Sequence, residues 1–223
     1  MAVKEVFARQ KTAAAFLFTL AFFAFDASLS LFASPASGQL SLEDVAERLS
    51  KNKVTRGQFE LERAAKGGKA LKSSGGFVIA SDYGIIWKTA KPVRTVQVVA
   101  KDFTLTESAS GKRVKVDAGK NPVYKQMALL TSSLWNGDLM AAQSAADLQF
   151  WSDKESWRIE MFPKDQSVQM ALEKIVVEGI CSGGTAAATK MQMFLKGGNS
   201  ARYNMSGHTF SDTLLADERA YFD

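Results

Sequence analysis

Few side chains in this sequence could carry acid–base, nucleophilic or metal chemistry. Its 223 residues include one histidine, His208, and one cysteine, Cys181. A histidine-based triad, a histidine-rich zinc site and an internal disulfide framework therefore lack their raw material. His208 stands in a Gly/Ser/Thr-rich tail, which predicts a surface or turn histidine rather than a base. Cys181-Ser-Gly-Gly-Thr185 resembles a nucleophile motif only in composition. A nucleophile elbow needs a strand-to-helix turn and a histidine partner, so the stretch reads as a flexible hairpin loop beside a buried thiol. Gly183, Gly184 and Lys190 lack the spacing of a phosphate-binding loop. The acidic residues are scattered and fall mostly on the polar faces of expected strands, where solvation is the default, so a paired-carboxylate hydrolase stays open but unsupported. The chain is not read as an enzyme, and no cofactor or metal is expected.

What stands out instead is apolar and adaptable. Trp87, Trp135, Trp151 and Trp157 are joined by Met127, Met140, Met161, Met170, Met191 and Met193. Singly, each fills an ordinary core. Together they also suit the wall of a hollow β-structure, because thioethers and flat rings adapt to a lipid chain of indefinite shape.

The elements that must position these residues are mostly strands. Alternation predicts strands at Gly57–Arg63, Gly76–Ala80, Ile85–Thr89, Thr95–Val99, Phe103–Thr106 and Lys112–Val116. A second series is predicted at Asp147–Trp151, Trp157–Met161, Lys174–Glu178, Lys190–Leu195 and Ala201–Met205. Ser81-Asp-Tyr-Gly84 reads as a turn and Lys66-Gly-Gly-Lys69 as a loop. Ser41 caps a predicted helix whose Leu42, Val45 and Leu49 share a face. Between Pro122 and Ala145 the apolar residues recur at helical spacing, interrupted by Gly137, so one or two short helices are inserted among the strands. About ten or eleven strands without βαβ alternation give a mainly β single domain over residues 39–223.

The N-terminus reads as an export signal. Lys4, Arg9 and Lys11 precede an apolar run from Thr12 to Phe25, followed by small residues. Cleavage is expected near Ala36–Gly38, leaving residues 1–38 as a signal peptide and the product in the periplasm. Retention as a membrane span is the weaker reading, since Asp26 would cost roughly 2.5–3.5 kcal/mol inside a bilayer. The net charge of +5 is mild and gives no reason to expect nucleic acid.

Three short motifs occur in order: Val54-Thr-Arg-Gly-Gln-Phe59, Ser74-Gly-Gly-Phe77, and Gly84-Ile-Ile-Trp87 with Pro92 five residues on. With Gly137-Asp138, Phe150 and Trp157-Arg-Ile-Glu-Met-Phe-Pro163 further along, the chain resembles the LolA family of periplasmic carriers of outer-membrane lipoproteins. The resemblance spans nearly the whole chain after the export signal. It implies an incomplete antiparallel β-barrel wrapped over a helical lid, with an apolar cavity for acyl chains. Phe59, Leu61, Phe77, Ile79, Ile85, Trp87, Trp157, Ile159 and Met161 are then expected to line the cavity. Met127, Leu130 and Leu134 are expected in the lid. The implied partners are lipoprotein or lipid acyl chains, an inner-membrane donor and an outer-membrane acceptor, met by a monomer. Two departures mark a divergent member. Leu61 stands where the family commonly has Gln, and Ser81-Asp82 offers no arginine where the well-studied carriers latch the lid. The alternative is a periplasmic sensor or interaction module on the same scaffold, its cavity filled or taking a peptide. A lipid hydrolase or isomerase would need a polar dyad within the apolar face, and the alternation supplies none.

Overall fold

Alternating sequence becomes alternating burial. In the computed structural model, which describes residues 39–120 and 122–223, Phe59 and Leu61 are buried between exposed or half-buried Gln58, Glu60 and Glu62. Of residues 120, 122–124 and 127 only the backbone is described, and the export segment expected over 1–38 lies outside the described residues.

The first wing of the sheet comprises β1 (Val54–Ala64), β2 (Leu71–Ala80), β3 (Gly84–Lys91), β4 (Thr95–Ala100), β5 (Phe103–Glu107) and β6 (Arg113–Asp117). The second comprises β7 (Ala146–Asp153), β8 (Ser156–Pro163), β9 (Leu172–Ser182), β10 (Thr185–Leu195) and β11 (Asn199–Ser211). All pair antiparallel in one eleven-stranded sheet, in the order β6-β5-β4-β3-β2-β1-β11-β10-β9-β8-β7. Each wing is a meander of hairpins, and the two join along the seam where β1 pairs β11. β6 and β7 pair on one side only, so the sheet stays open, as the incomplete barrel expected from the sequence requires. Several strands run a few residues beyond their predicted ends, because backbone pairing continues where the alternation fades.

The helices α1 (Leu42–Ser50), α2 (Pro122–Trp135) and α3 (Leu139–Ala145) pack on the inner face. α2 and α3 fill the connection between the two edge strands. Ser41 Oγ accepts from Asp44 N–H at 3.0 Å while Ser41 N–H donates to Asp44 Oδ2 at 2.9 Å, a reciprocal cap on α1. Asp138 caps α3 from one side only, its Oδ1 accepting from Ala141 N–H at 2.9 Å. Inner-face residues of both wings share one buried cluster with Val45, Leu49, Leu130, Leu134 and Trp135 of these helices, so the sheet curves round them. Two short helices complete the chain, α4 (Gln166–Gln169) and α5 (Ala216–Arg219).

Two aromatic rings fit only because of glycine. A Cβ on Gly57 would lie 2.7 Å from the Phe77 ring, and one on Gly179 would lie 2.2 Å from the Trp157 indole. The motif glycine before Phe59 is thus the floor beneath Phe77.

The outer face carries a second core. Val54, Val78, Ile86, Val96, Val98 and Leu105 are buried there beneath Leu214, Tyr221 and Phe222 of the C-terminal segment. This segment is strapped down by Arg56, whose Nε and Nη2 donate to the two Glu218 oxygens at 2.7 and 2.6 Å. Lys88–Asp217 at 3.2 Å and Arg219–Tyr83 Oη at 2.6 Å add lesser ties. On the other wing the outer face is a charged ladder, in which Arg158 and Lys174 meet Glu160 while Arg158 and Lys190 meet Glu178.

Several sequence expectations need correction. His208 is no surface turn residue: it lies in β11, half-buried, with Nε2 2.8 Å from Ala188 O and its ring against Phe77. Met140 and Met170 are 83% and 76% exposed, and Trp151 is 48% exposed. Strand parity explains the last, since Leu148 and Phe150 point inward and Trp151 therefore faces outward beside Arg158. In α3 the inward positions are Ala142 and Ala145, whose small side chains let the helix sit close and leave Met140 outside.

Candidate ligand cavity

The sequence-predicted lining residues all reach the same face. Phe59, Leu61, Phe77, Ile79, Ile85 and Trp87 from β1–β3, and Trp157, Ile159 and Met161 from β8, belong to one buried cluster. Leu130 and Leu134 of α2 belong to it too, whereas the Met127 side chain lies outside the described atoms. Most of these side chains touch each other rather than empty space. Trp157, Ile159 and Met161 are no more than 2% exposed and form solid core.

Open space remains on the β3–β5 side. A cavity of about 200 Å³ lies between Ile85, Trp87, Met191, Met193 and Tyr203 and a more polar wall of Gln97, Thr104, Thr106 and Thr131. Ile85 and Trp87 are thus the two expected lining residues that border it. Its aromatic wall is built by packing. Trp87 lies 4.4 Å from Tyr203 between ring centroids, and Phe59 meets Trp87 edge-on at 5.2 Å. Burial pushes the Tyr203 phenol up, partly offset by the Arg63 guanidinium. Tyr203 thus stays neutral and serves the cavity as an apolar plate.

The cavity faces the sheet edge that the fold leaves open. Val114 and Val116 of β6 pair with Thr106 and Thr104 and are 51% and 38% exposed. Among the described residues no further strand pairs with β6. Met191 and Met193, expected in the wall of a hollow β-structure, do border the cavity, whereas sequence reasoning missed Tyr203, Gln97, Thr104 and Thr106 as cavity neighbours. The inward parity of Met191, Met193 and Tyr203 was available as a signal, but the β4–β5 threonines carried none.

Beside this cavity, the Ser81–Asp82 turn borders a second cleft of about 470 Å³, shared with Ser132, Ser133, Asn136 and Asp138, which meets the first at Ile85, Val99 and Thr131. Ser81 N–H donates to Lys53 O at 3.0 Å, which fixes the turn. Its buried Oγ has no hydrogen-bond partner among the described residues. The turn therefore meets the helices across a gap rather than through a basic latch. Cys181 is buried at the end of β9, and burial pushes its thiol up, so it is no thiolate. Among the described residues, no group of three or more His, Cys, Asp or Glu could hold a metal ion, and no helix is long and apolar enough to cross a membrane.

No family model and no curated protein matches the sequence. Solved structures do. A LolA superfamily protein from Nitrosomonas europaea is similar at 12% identity, over 82% of this chain and 95% of that one, with a TM-score of 0.42. A candidate outer membrane lipoprotein-sorting protein domain from Vibrio parahaemolyticus is similar at 12% identity, over 79% and 94%, with a TM-score of 0.44. A DUF1329 family protein from Desulfovibrio piger is similar at 14% identity, over 82% and 95%, with a TM-score of 0.44. At such identities no residue-by-residue correspondence follows, and the functional case rests on this chain's own cavity.

Proposed function

We propose that this chain is a periplasmic, non-enzymatic carrier that shelters an acyl chain of a lipoprotein or lipid and moves it from an inner-membrane donor towards an outer-membrane acceptor, acting as a monomer. The observation that carries the reading is the unfilled space beside Trp87, Tyr203 and Met193, at the uncovered edge of an otherwise well-packed sheet. Such a device answers a definite energetic need. Each methylene kept from water is worth about 0.8 kcal/mol, so a sixteen-carbon tail resists crossing an aqueous space by roughly 12 kcal/mol. A wall of flexible methionines against flat rings can hold such a tail without demanding one shape.

The space of about 200 Å³ lies below the ~300–1,000 Å³ usual for ligand pockets. A whole tail therefore needs α2 to move outward from the sheet, with Thr131 at the cavity wall leading. The same tight filling favours a second reading, an interaction module whose inner face is core. Fluorescent fatty-acid binding by the purified protein, with native mass spectrometry of protein taken directly from cells, separates the two. Saturable probe binding or co-purified lipid supports the carrier. Absence of both sinks it and leaves the interaction module.

A further inference from the structure

The antiparallel order places the turns after β1, β3 and β10 at one end of the sheet and those after β2, β4 and β7 at the other. The two ends differ in charge. Lys66, Lys69, Lys72, Lys91, Arg94 and Lys196 crowd the first end, all exposed. Among the described residues none of the six takes part in an ion pair. The second end carries Asp82, Asp102, Asp153, Glu155 and Asp212 against Lys53, Lys101 and Lys154.

The basic turns are physically contiguous. Lys66 N–H donates to Asn199 Oδ1 at 3.3 Å, and the Lys66 stem lies over Gly198. Lys72, Lys91 and Pro92 share an open groove with Glu60 and Glu62, so the groove itself is charge-balanced and the surplus of cations lies in the surrounding turns, at Lys66, Lys69, Arg94 and Lys196. The groove exists because β2 begins three residues above its first pairing with β3, at Ser74↔Lys91. From this protruding rim two large apolar side chains stand into solvent, Leu71 at 71% and Val93 at 58% exposure. Leu71 pairs with Arg63 on the inner face, the face that carries Met193 and Leu195.

Unpaired lysines ringing isolated apolar tips are the surface chemistry of interfacial binding, in which cations meet lipid phosphates and the tips enter the headgroup layer. We propose that this end docks on an anionic phospholipid surface and turns the inner face of β1, β10 and β11 towards the lipid. The acidic end then points away, so the molecule's own charge asymmetry orients the encounter. Passage of a tail through this rim rests on the carrier reading. Docking itself does not.

Co-sedimentation with vesicles tests it, using the chain purified as cells produce it, so that anything residues 1–38 contribute is common to every variant. Vesicles of phosphatidylcholine alone are compared with vesicles holding about 30% phosphatidylglycerol, at low salt and at about 0.3 M NaCl. The expected result is binding to the anionic vesicles only, weakened by salt. K66E/K69E/K72E lowers the partition coefficient at least about a hundredfold, since the loss of three lysines alone, at roughly fivefold each, gives that much before the added repulsion of three carboxylates. L71S lowers it several-fold without changing the salt dependence, and K101E/K154E at the other end leaves it unchanged. Equal binding to both vesicles, no binding, or undiminished binding by the triple variant overturns the proposal; in the last two cases the basic rim is free for an acidic protein partner instead. Fatty-acid binding measured without vesicles keeps the readings apart. A triple variant that loses vesicles and keeps the fatty acid supports docking, whereas a wild type that binds vesicles but no fatty acid refutes the carrier alone.

Discussion

Replacing Glu218 with Gln should loosen the strap over the outer core. Glu218 is 4% exposed and accepts from Arg56 Nε and Nη2 and from Leu215 N–H, while Arg56 is 21% exposed and also donates to Ser211 Oγ and Thr213 O. Burial opposes ionisation of Glu218, yet the Arg56 hydrogen bonds, the Leu215 N–H and the nearby cations together hold its carboxyl below the ordinary range. Breaking a buried pair from one side costs about 3–5 kcal/mol, and water reaching the partly exposed Arg56 trims this to about 2–3 kcal/mol. For a domain of this size, about 2–4 °C per kcal/mol predicts a fall of roughly 4–12 °C in melting temperature at pH 7. The sign with pH is fixed. A carboxylate whose folded pKa is depressed stabilises above the unfolded value near 4.3, and that contribution disappears as pH falls through the folded value. Wild type and E218Q should therefore converge in acid. Thermal melts across pH, with hydrogen exchange at Val78, Ile86 and Val98 to catch local peeling, give the measurement. Unchanged melting and unchanged exchange at pH 7, or a gap that persists in acid, would refute the reasoning.

Other consequences are equally direct. Thr104→Phe should fill the space beside Trp87 and Met193, lowering fatty-acid probe affinity at least about tenfold with no loss of melting temperature. Met161→Leu, in solid core, should leave the probe affinity alone and cost less than about 1.5 kcal/mol in denaturant titration. Gly179→Ala drives a methyl to 2.3 Å from Ala187 O as well as into Trp157, and backbone cannot yield as a side-chain tip can, so a loss beyond about 3 kcal/mol or failure to fold is expected. Burial lowers the pKa of His208 against the opposing pull of Ala188 O, so its single imidazole resonance should titrate below about 6.5 in an NMR series. Stability from this group is present above 6.5 and declines as pH drops below it.

The strand series was readable because one face of nearly every strand is buried. Phe59 and Leu61 between polar neighbours, or Trp157, Ile159 and Met161 between Arg158 and Glu160, leave little choice of register. Gly57 and Gly179 were legible as residues but not as floors for Phe77 and Trp157, since that contact crosses strands. The second core escaped notice because β2–β4 bury both faces and so blur the alternation, and because Leu214, Tyr221 and Phe222 are too few and too spread to show a period. Lys66-Gly-Gly-Lys69 was visible as a loop, and its lysines with it. Their grouping with Lys91, Arg94 and Lys196 depends on topology that no local pattern encodes.

The seam between β1 and β11 couples the start of the sheet to its finish, positions 54–64 with positions 200–211. A chain emerging from a ribosome or threading through a translocation pore can zip its first six strands as local hairpins. One flank of β1 nevertheless stays bare until almost the last residue arrives. Half a sheet must wait, greasy side uncovered, for its mate. Slow, late consolidation of the sheet is the kinetic signature that this connectivity predicts.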